Sequence, residues 1–253
     1  AGNFQNQIFQ MIEGEKLGSF WGYTFAGVWQ EDDVNAPFVD ANGQTNGKTN
    51  GEVYKVKPGN SKYVDVNKDG VYNDADQGII GCGQPTFNWG WNNTFNYKNF
   101  DFSFFVVGFH GFDIYNATHQ MGYNLIKSQQ MAGVTPMREL LNRWTPTNTN
   151  TDIPGFVKGG TENKDFFSTR FVENGSFIKM KSITLGYTLP EATCRSLGIN
   201  NLRVYASVQN PFHITKYSGL DPEATMGSPL VQGVDWGAYP NSRNYLIGLN
   251  FSF

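Results

Sequence analysis

The stretch Ser182-Ile183-Thr184-Leu185-Gly186-Tyr187-Thr188-Leu189 sets every large apolar side chain at one parity and every small or polar one at the other. A period of two is the mark of a β-strand, whose successive side chains point to opposite faces. One face is apolar, the other carries only Ser, Thr and Gly, and Pro190 ends the run. The same grammar returns downstream. Leu202, Val204, Ala206 and Val208 alternate with Arg203, Tyr205, Ser207 and Gln209; Tyr245, Ile247, Leu249, Phe251 and Phe253 alternate with Asn244, Gly248, Asn250 and Ser252, with Leu246 the exception.

Upstream, Phe87, Trp89, Trp91, Phe95 and Tyr97 alternate with Asn88, Gly90, Asn92, Thr94 and Asn96. The chain reverses at Lys98-Asn99, and Phe100, Phe102, Phe104 and Val106 continue opposite Asp101 and Ser103, which predicts a hairpin. Trp21, Tyr23, Phe25 and Trp29, set against Gly22, Thr24, Ala26 and Val28, predict a sixth strand. Two connections are short (98–99 and 190–200), and the gaps near 30–83, 110–175 and 214–240 are long.

Composition agrees with the periodicity. Of 253 residues only 41 are charged, whereas 39 are aromatic and 56 are Gly or Asn, which disfavours a helical bundle. A net charge of −3 with no basic stripe excludes nucleic acid as the expected partner, and the wealth of rings argues against disorder. Cys82 and Cys194 lie far apart without CxxC spacing, so neither a disulfide scaffold nor a zinc ribbon is expected.

Two architectures share such stripes. In a soluble β-sandwich the polar faces would carry Lys and Glu toward water; here they carry Asn, Ser, Thr, Gly and Gln, as a wet enclosed lumen would. Long loops on one rim, short turns on the other and Trp, Tyr and Phe girdles predict an all-β, antiparallel transmembrane β-barrel segment with long extracellular loops. The smallest membrane barrels have about eight strands, so about six strands imply the carboxyl-terminal part of a larger barrel. Phe253 behind Phe251 and Leu249 looks like the terminal-strand signal of bacterial barrel assembly.

The segment Asp65-Val66-Asn67-Lys68-Asp69-Gly70-Val71-Tyr72-Asn73-Asp74-Ala75-Asp76 matches a calcium-loop template, with oxygen side chains at positions 1, 3 and 5, Gly at 6 and a carboxylate at 12. Asp65, Asn67, Asp69, the Val71 carbonyl and Asp76 are the candidate ligands, with Asn73 acting through water. Neither flank is an amphipathic helix, so the expectation is a static calcium ion that stiffens a long loop. An Asp/Asn-rich turn that binds nothing is the plain alternative.

Gly18-Ser19-Phe20-Trp21-Gly22-Tyr23 with Gly27-Val28-Trp29, the acidic loop leading into Ile79-Ile80-Gly81, Pro85-Thr86-Phe87-Asn88-Trp89-Gly90, Arg143-Trp144-Thr145-Pro146 with Ile153-Pro154, Asn174-Gly175-Ser176-Phe177, Leu185-Gly186-Tyr187-Thr188-Leu189-Pro190, Gln209-Asn210-Pro211 and Arg243-Asn244-Tyr245 follow one another along the chain. Together they resemble the carboxyl-terminal half of the SusC/RagA-type TonB-dependent transporters of Bacteroidetes. The resemblance implies a plugged barrel of about 22 strands in the bacterial outer membrane. It also implies a SusD-like surface lipoprotein as lid, energy from the TonB complex, and an oligosaccharide or peptide cargo. Residues 1–253 would be one carboxyl-terminal barrel portion, the plug and amino-terminal strands lying in the remaining portion of the transporter, with a nicked extracellular loop between the two pieces of one barrel. A secreted, calcium-stabilised β-sandwich that binds carbohydrate is the alternative.

No GxSxG, HExxH or P-loop pattern is present, so an enzyme is not expected. His110 and His119 sit in one loop without partners at ligand spacing. Met137, Leu140, Leu141 and Trp144 have helical spacing, which predicts a helix packed within an extracellular loop or contacting the lid or cargo. Tyr115, Tyr123, Trp144, Trp236 and Tyr239 are rings able to stack on sugars or to pack the loops. Cys82 is expected on the extracellular rim and Cys194 in a periplasmic turn.

Overall fold

The computed structural model describes residues 8–123, 137–155, 166–225 and 232–252; Phe253 lies outside them. The first strands are short: β1 (Ser19–Tyr23), β2 (Phe25–Val28), β3 (Pro37–Val39), β4 (Thr45–Thr49), β5 (Ser61–Tyr63) and β6 (Gln77–Cys82). Long and short strands then mix as β7 (Phe87–Tyr97), β8 (Phe100–His110), β9 (Asp113–Asn116), β10 (Val172–Asn174), β11 (Phe177–Thr188), β12 (Asn201–Thr215), β13 (Val234–Asp235) and β14 (Asn244–Ser252). The short helices are α1 (Glu31–Asn35), α2 (Asn50–Tyr54), α3 (Ala117–Tyr123) and α4 (Glu191–Ser196). Among the described residues no helix is long and apolar enough to cross a membrane, which says nothing of strands.

The five long strands form one antiparallel sheet in the order β14-β12-β11-β8-β7. Its register aligns the stripes into rows. Tyr97, Phe100, Tyr187, Val204 and Leu249 form one row, and Phe95, Phe102, Leu185, Ala206 and Ile247 the next. On the other face the matching rows are Asn96, Asp101, Gly186, Tyr205 and Gly248, then Thr94, Ser103, Thr184, Ser207 and Leu246. Among the described residues no layer packs on the apolar face: Ile247 is 85% exposed, Tyr245 74% and Tyr97 70%. Contiguous apolar area of this extent is normally covered on a soluble protein, whereas hydrocarbon satisfies it without a partner. Strands of 11, 11, 12 and 15 residues are long enough for a tilted crossing of the bilayer.

Short turns lie at one end of the sheet. Lys98 takes a left-handed φ of 54° in the β7–β8 turn. Asn99 ties that turn to the next strand, its carbonyl accepting from Thr188 N–H at 2.8 Å and its Nδ2 donating to the Thr188 carbonyl at 2.7 Å. Helix α4 with Cys194 fills the other short connection, while Cys82 lies at the opposite end of the sheet; both thiols are free.

The buried core is at the long-loop end. Phe20, Ile8, Tyr115, Ala117 and Phe171 form one cluster and Phe112, Ile114, Phe177 and Tyr217 a second. Phe177, the first residue of β11, stacks on Phe109 of β8 and meets Phe112 edge-on at 6.2 Å, joining sheet to loop layer. Strand β9 anchors that layer, pairing antiparallel with β10 and parallel with β13.

The expected sixth strand is not part of the long sheet. The run from Trp21 to Trp29 breaks at Thr24 into β1, which pairs with β6, and β2, which pairs with β5 through a bulge at Phe25/Gly27. Gly27 has a φ of 105°, which bends the run out of a straight strand. Phe20, Tyr23 and Trp29 are buried in the loop layer. Alternation there records a half-buried ribbon rather than a lipid-facing strand.

The two faces of the long sheet predict opposite responses to charge. In the intact protein, Leu185→Arg on the apolar face is expected to cost about 2–4 kcal/mol of stability in lipid vesicles, where Thr184→Arg on the polar face costs much less. Urea titration of vesicle-folded protein measures both.

Candidate functional site

The acidic segment forms a tight turn after β5. Asp65 Oδ2 accepts from Gly70 N–H and from the Tyr54 hydroxyl, each at 2.8 Å, and Oδ1 accepts from Asp69 N–H at 3.3 Å. Asn67 Oδ1 also accepts from Asp69 N–H, and Asp69 Oδ1 accepts from Val71 N–H at 2.8 Å. Gly70 is obligatory: its φ is +81°, and a Cβ there would stand 2.2 Å from Val53 Cγ1. These bonds curl Asp65, Asn67, Asp69 and the Val71 carbonyl round one turn.

Asp76 is held differently. It is buried, Oδ1 accepts from Val66 N–H at 2.8 Å, and Oδ2 accepts from Asn73 N–H at 3.0 Å. Asn73 caps the short 3-10 turn Asp74–Asp76 by accepting from Ala75 N–H, and its Nδ2 donates to Asp69 Oδ2 and the Val71 carbonyl. Among the described residues no ion pair neutralises Asp65, Asp69 or Asp76, and no three His, Cys, Asp or Glu side chains converge at metal-binding distance. The Asn67 amide, then Val71 N–H, hold the Asp69 carboxyl below its usual range.

Rings underlie this turn. Tyr54 stacks on Tyr72 with centroids 5.2 Å apart, Trp29 lies 5.4 Å from Tyr54, and Tyr63 meets Tyr72 edge-on. Burial, then the bond to Asp65, pushes the Tyr54 phenol up; burial pushes Tyr72 up to about 12. Nothing in the sequence pattern linked Tyr54 to Asp65, because the chain between them runs through β5 before returning.

A second polar cluster was not legible either. Lys179, 2% exposed on the polar-face row of β11, donates to Asp221 Oδ2 at 2.9 Å and Glu223 Oε2 at 2.7 Å. Lys181 pairs with Glu223 Oε1. Asn241 donates its backbone N–H to Asp221 and its side-chain amide to Glu223. The register of β11 shifts between Met180 and Ser182, a bulge at Lys181. The only signal was two lysines in a strand otherwise free of charge. The cluster clamps Asp221, Glu223 and Asn241 of the loop after β12 to the sheet.

Between α3, the 3-10 turn Arg138–Asn142, Asp152–Ile153 and Arg170–Phe171 lies a cleft of about 270 Å³. His119, Tyr123, Glu139 and Asn142 line one part and Asp152, Ile153, Arg170 and Phe171 the rest. Here the expected helix at Met137–Trp144 is a single 3-10 turn; Leu140 is buried and Leu141 exposed, so the helical spacing does not produce one packed face. The rings considered for stacking divide: Tyr115 is fully buried, while Tyr239 is 90% exposed.

No family model matches the sequence. The chain is 34% identical over 259 residues to TonB-dependent receptor P3 of Formosa agariphila, an alignment spanning 100% of this chain and 24% of that protein. It is 32% identical over 199 residues to TonB-dependent receptor SusC of Bacteroides thetaiotaomicron, spanning 78% of this chain and 18% of the relative. In fold it is similar to a chain of the RagAB peptide transporter, with a TM-score of 0.66 and 23% identity over 93% of this chain and 22% of the other. The chain therefore spans about a quarter of the length of the first of these relatives.

Burial pushes the Asp221 and Glu223 carboxyls up, but the lysine ammonium groups and, for Asp221, backbone N–H bonds outweigh it and hold both below the usual range. Their stabilising contribution is therefore complete above the unfolded carboxylate range, about pH 4, and disappears only as pH falls through the lower folded values. Loop 216–243 is expected to resist protease at pH 5 and to open in stronger acid. Lys179→Met leaves Asp221 buried without its cation and is expected to cost about 3–5 kcal/mol, opening the loop at neutral pH. Limited proteolysis read by mass spectrometry checks both.

Proposed function

We propose that this chain, which belongs to the SusC/RagA family of TonB-dependent receptors of the bacterial outer membrane, supplies carboxyl-terminal strands and outer loops to the barrel of an active nutrient importer. The supporting observation is the long sheet: among the described residues it has an uncovered apolar face, an uncharged or pair-neutralised polar face, and both buried aromatic clusters at one end. On this reading β7, β8, β11, β12 and β14 are a section of a plugged barrel of about 22 strands, with the polar rows toward the lumen. Arg203 Nε bonds Asp101 Oδ1 at 2.8 Å across that lumen face, so the two charges neutralise each other beside the plug. The plug and the remaining strands belong to the rest of the receptor, which takes energy from the TonB complex and works with a SusD-like lipoprotein lid. The cargo is an oligosaccharide or a peptide.

A soluble sandwich would place a second sheet on the apolar face. Among the described residues none lies there. Deleting the receptor gene is expected to abolish energy-dependent uptake of a labelled oligosaccharide or peptide pool, with the intact protein recovered only from detergent-extracted outer membrane. Recovery of the folded protein in buffer alone sinks the reading.

The acidic turn, in this account, holds one calcium ion that stiffens the outer loop. Asp65, Asn67, Asp69, the Val71 carbonyl and Asp76 form an all-oxygen set suited to a hard cation, and three carboxylates without a described counter-charge support it. Asp76 fits least well, since both of its oxygens already accept from backbone amides. Terbium bound at this turn is expected to luminesce on tyrosine excitation, because Tyr54 bonds Asp65 directly. Asp69→Asn weakens that signal about tenfold in affinity or more. Metal-free protein by elemental analysis, with no terbium signal, rules the ion out.

A further inference from the structure

Four asparagines are followed directly by glycine: Asn42, Asn46, Asn50 and Asn174. Such a pair is prone to lose the asparagine amide, because the glycine nitrogen has no neighbouring side chain to hinder it and its backbone turns freely toward the preceding carboxamide. The step needs a glycine N–H that can be given up, a carboxamide carbon open to attack, and a backbone free to close a cyclic imide. The fold meets these needs unequally at the four positions.

At three of them the groups are held. In the turn between β3 and β4, Gly43 N–H donates to the Asp40 carbonyl at 3.0 Å, and Asp40 Oδ1 accepts from the N–H groups of Asn42 and Gln44 on either side of it. The nitrogen that would have to lose a proton is thus bonded and flanked by a carboxylate. Asn50 begins α2: its Nδ2 donates to the Asp33 carbonyl at 2.9 Å, and a Cβ on Gly51 would stand 2.6 Å from Val34 Cγ1, so carboxamide and glycine are both packed in place. Gly175, after Asn174, is buried under Phe112, where a Cβ would stand 2.4 Å from the ring, and its N–H donates to the Phe112 carbonyl at 2.9 Å.

Asn46 differs on each count. Pro37 stands opposite Thr49 and Val39 opposite Thr45, so Asn46, Gly47 and Lys48 bulge out against the single residue Phe38. Asn46 and Gly47 are exposed, Gly47 has a φ of 75°, and no described atom beyond its chain neighbours lies within 4 Å of where its Cβ would be. Gly47 N–H donates only locally, to the exposed Thr45 hydroxyl at 3.1 Å. Asn46 Oδ1 accepts from Lys48 N–H at 3.0 Å, a donor on the oxygen that takes up negative charge when the carboxamide is attacked. The nearest charged residue in sequence is Lys48, whose cation favours the amide anion formed at Gly47.

We propose that Asn46 is a site of spontaneous deamidation and isomerisation, selected by the fold from the four Asn-Gly pairs. The Gly47 nitrogen loses its proton and bonds to Asn46 Cγ; the bond from Cγ to Nδ2 breaks, and ammonia leaves with a proton in exchange. Water then opens the imide at one carbonyl or the other, giving aspartate or isoaspartate. Either product adds a negative charge to the β3–β4 hairpin, and isoaspartate also lengthens the main chain by a methylene at the bulge. The chemistry needs no enzyme, cargo or partner and is independent of the importer reading.

The test ages the intact receptor, folded in detergent at mildly alkaline pH in heavy-oxygen water, and reads its peptides by mass spectrometry after separating aspartate from isoaspartate forms. Asn46 is expected to convert about tenfold or more faster than Asn42, Asn50 or Asn174. In protein unfolded with urea the four rates are expected to draw together, since the distinction lies in the fold. As a second readout, a protein isoaspartate methyltransferase is expected to label the aged folded receptor and to label aged N46Q far less, because glutamine closes a larger ring much more slowly. Conversion of any of the other three as fast as Asn46 in the folded receptor, an Asn46 amide that survives there, equal labelling of N46Q, or the same preference persisting in urea overturns the assignment.

Discussion

A strand that faces hydrocarbon has no water to satisfy its amides, so each backbone N–H and C=O must find its partner in a neighbouring strand. Everything else in this structure follows from that ladder. Once five strands are paired from β7 to β14, their side chains are divided into two sets by parity alone. One set is free to be wholly apolar because lipid asks nothing of it. The other must be compatible with water. Among the described residues the outer strands β7 and β14 each present an unpaired edge, and in hydrocarbon such an edge is costly.

With no core beneath the sheet, burial has to be found elsewhere. It is found at one end, where loops much longer than ordinary connections fold over one another and bury Phe20, Phe112, Ile114, Tyr115 and Phe177. Two contacts fasten this layer to the ladder. Phe177 supplies the apolar one through Phe112, and Lys179 the ionic one through Asp221 and Glu223. The lysines sit on strand β11 and the carboxylates on the loop after β12, so the pairing orders the loop relative to the strand rather than stabilising either alone. Desolvating three charges repays little stability, but it permits few alternative registers. The bulge at Lys181 belongs to the same arrangement, placing an extra residue where a second lysine is turned toward Glu223.

How much of this could be read from the chain depended on the range of the interaction. Strands β7, β8, β11, β12 and β14 were legible because a sheet with one apolar and one polar face enforces parity over nine or more residues. The same rule misassigned the Trp21 stripe, since a ribbon half-buried under loops also alternates. The acidic turn was legible because its bonds close within twelve residues. The Tyr54 support, the Lys179 clamp and the cleft were not, because each joins segments separated by turns and strands whose path no local pattern encodes. Met137, Leu140, Leu141 and Trp144 failed for the opposite reason: their spacing is helical, but one 3-10 turn leaves Leu141 outside.

The glycine content, 29 residues, first weighed only against helices; the register gives part of it a positive role. On the polar face Gly186 lies beneath the Asp101–Arg203 pair, where a Cβ would stand 2.3 Å from Asp101 Oδ1 and 2.5 Å from Arg203. Gly248 lies under the Tyr205 ring, with a Cβ reaching 2.3 Å from it, and on the apolar face Gly108 lies under the Trp89 indole in the same way. In each case the glycine is the direct cross-strand partner of the large residue or of its row. A flat or extended side chain can then lie down along the sheet instead of standing up from it, which shields the exposed backbone of the glycine and keeps the ring in contact. For a barrel wall this matters on both faces. It lets Trp89 reach His110 Nε2 with its N–H at 3.1 Å, and it keeps Tyr205 and the ion pair low against the polar face of the sheet.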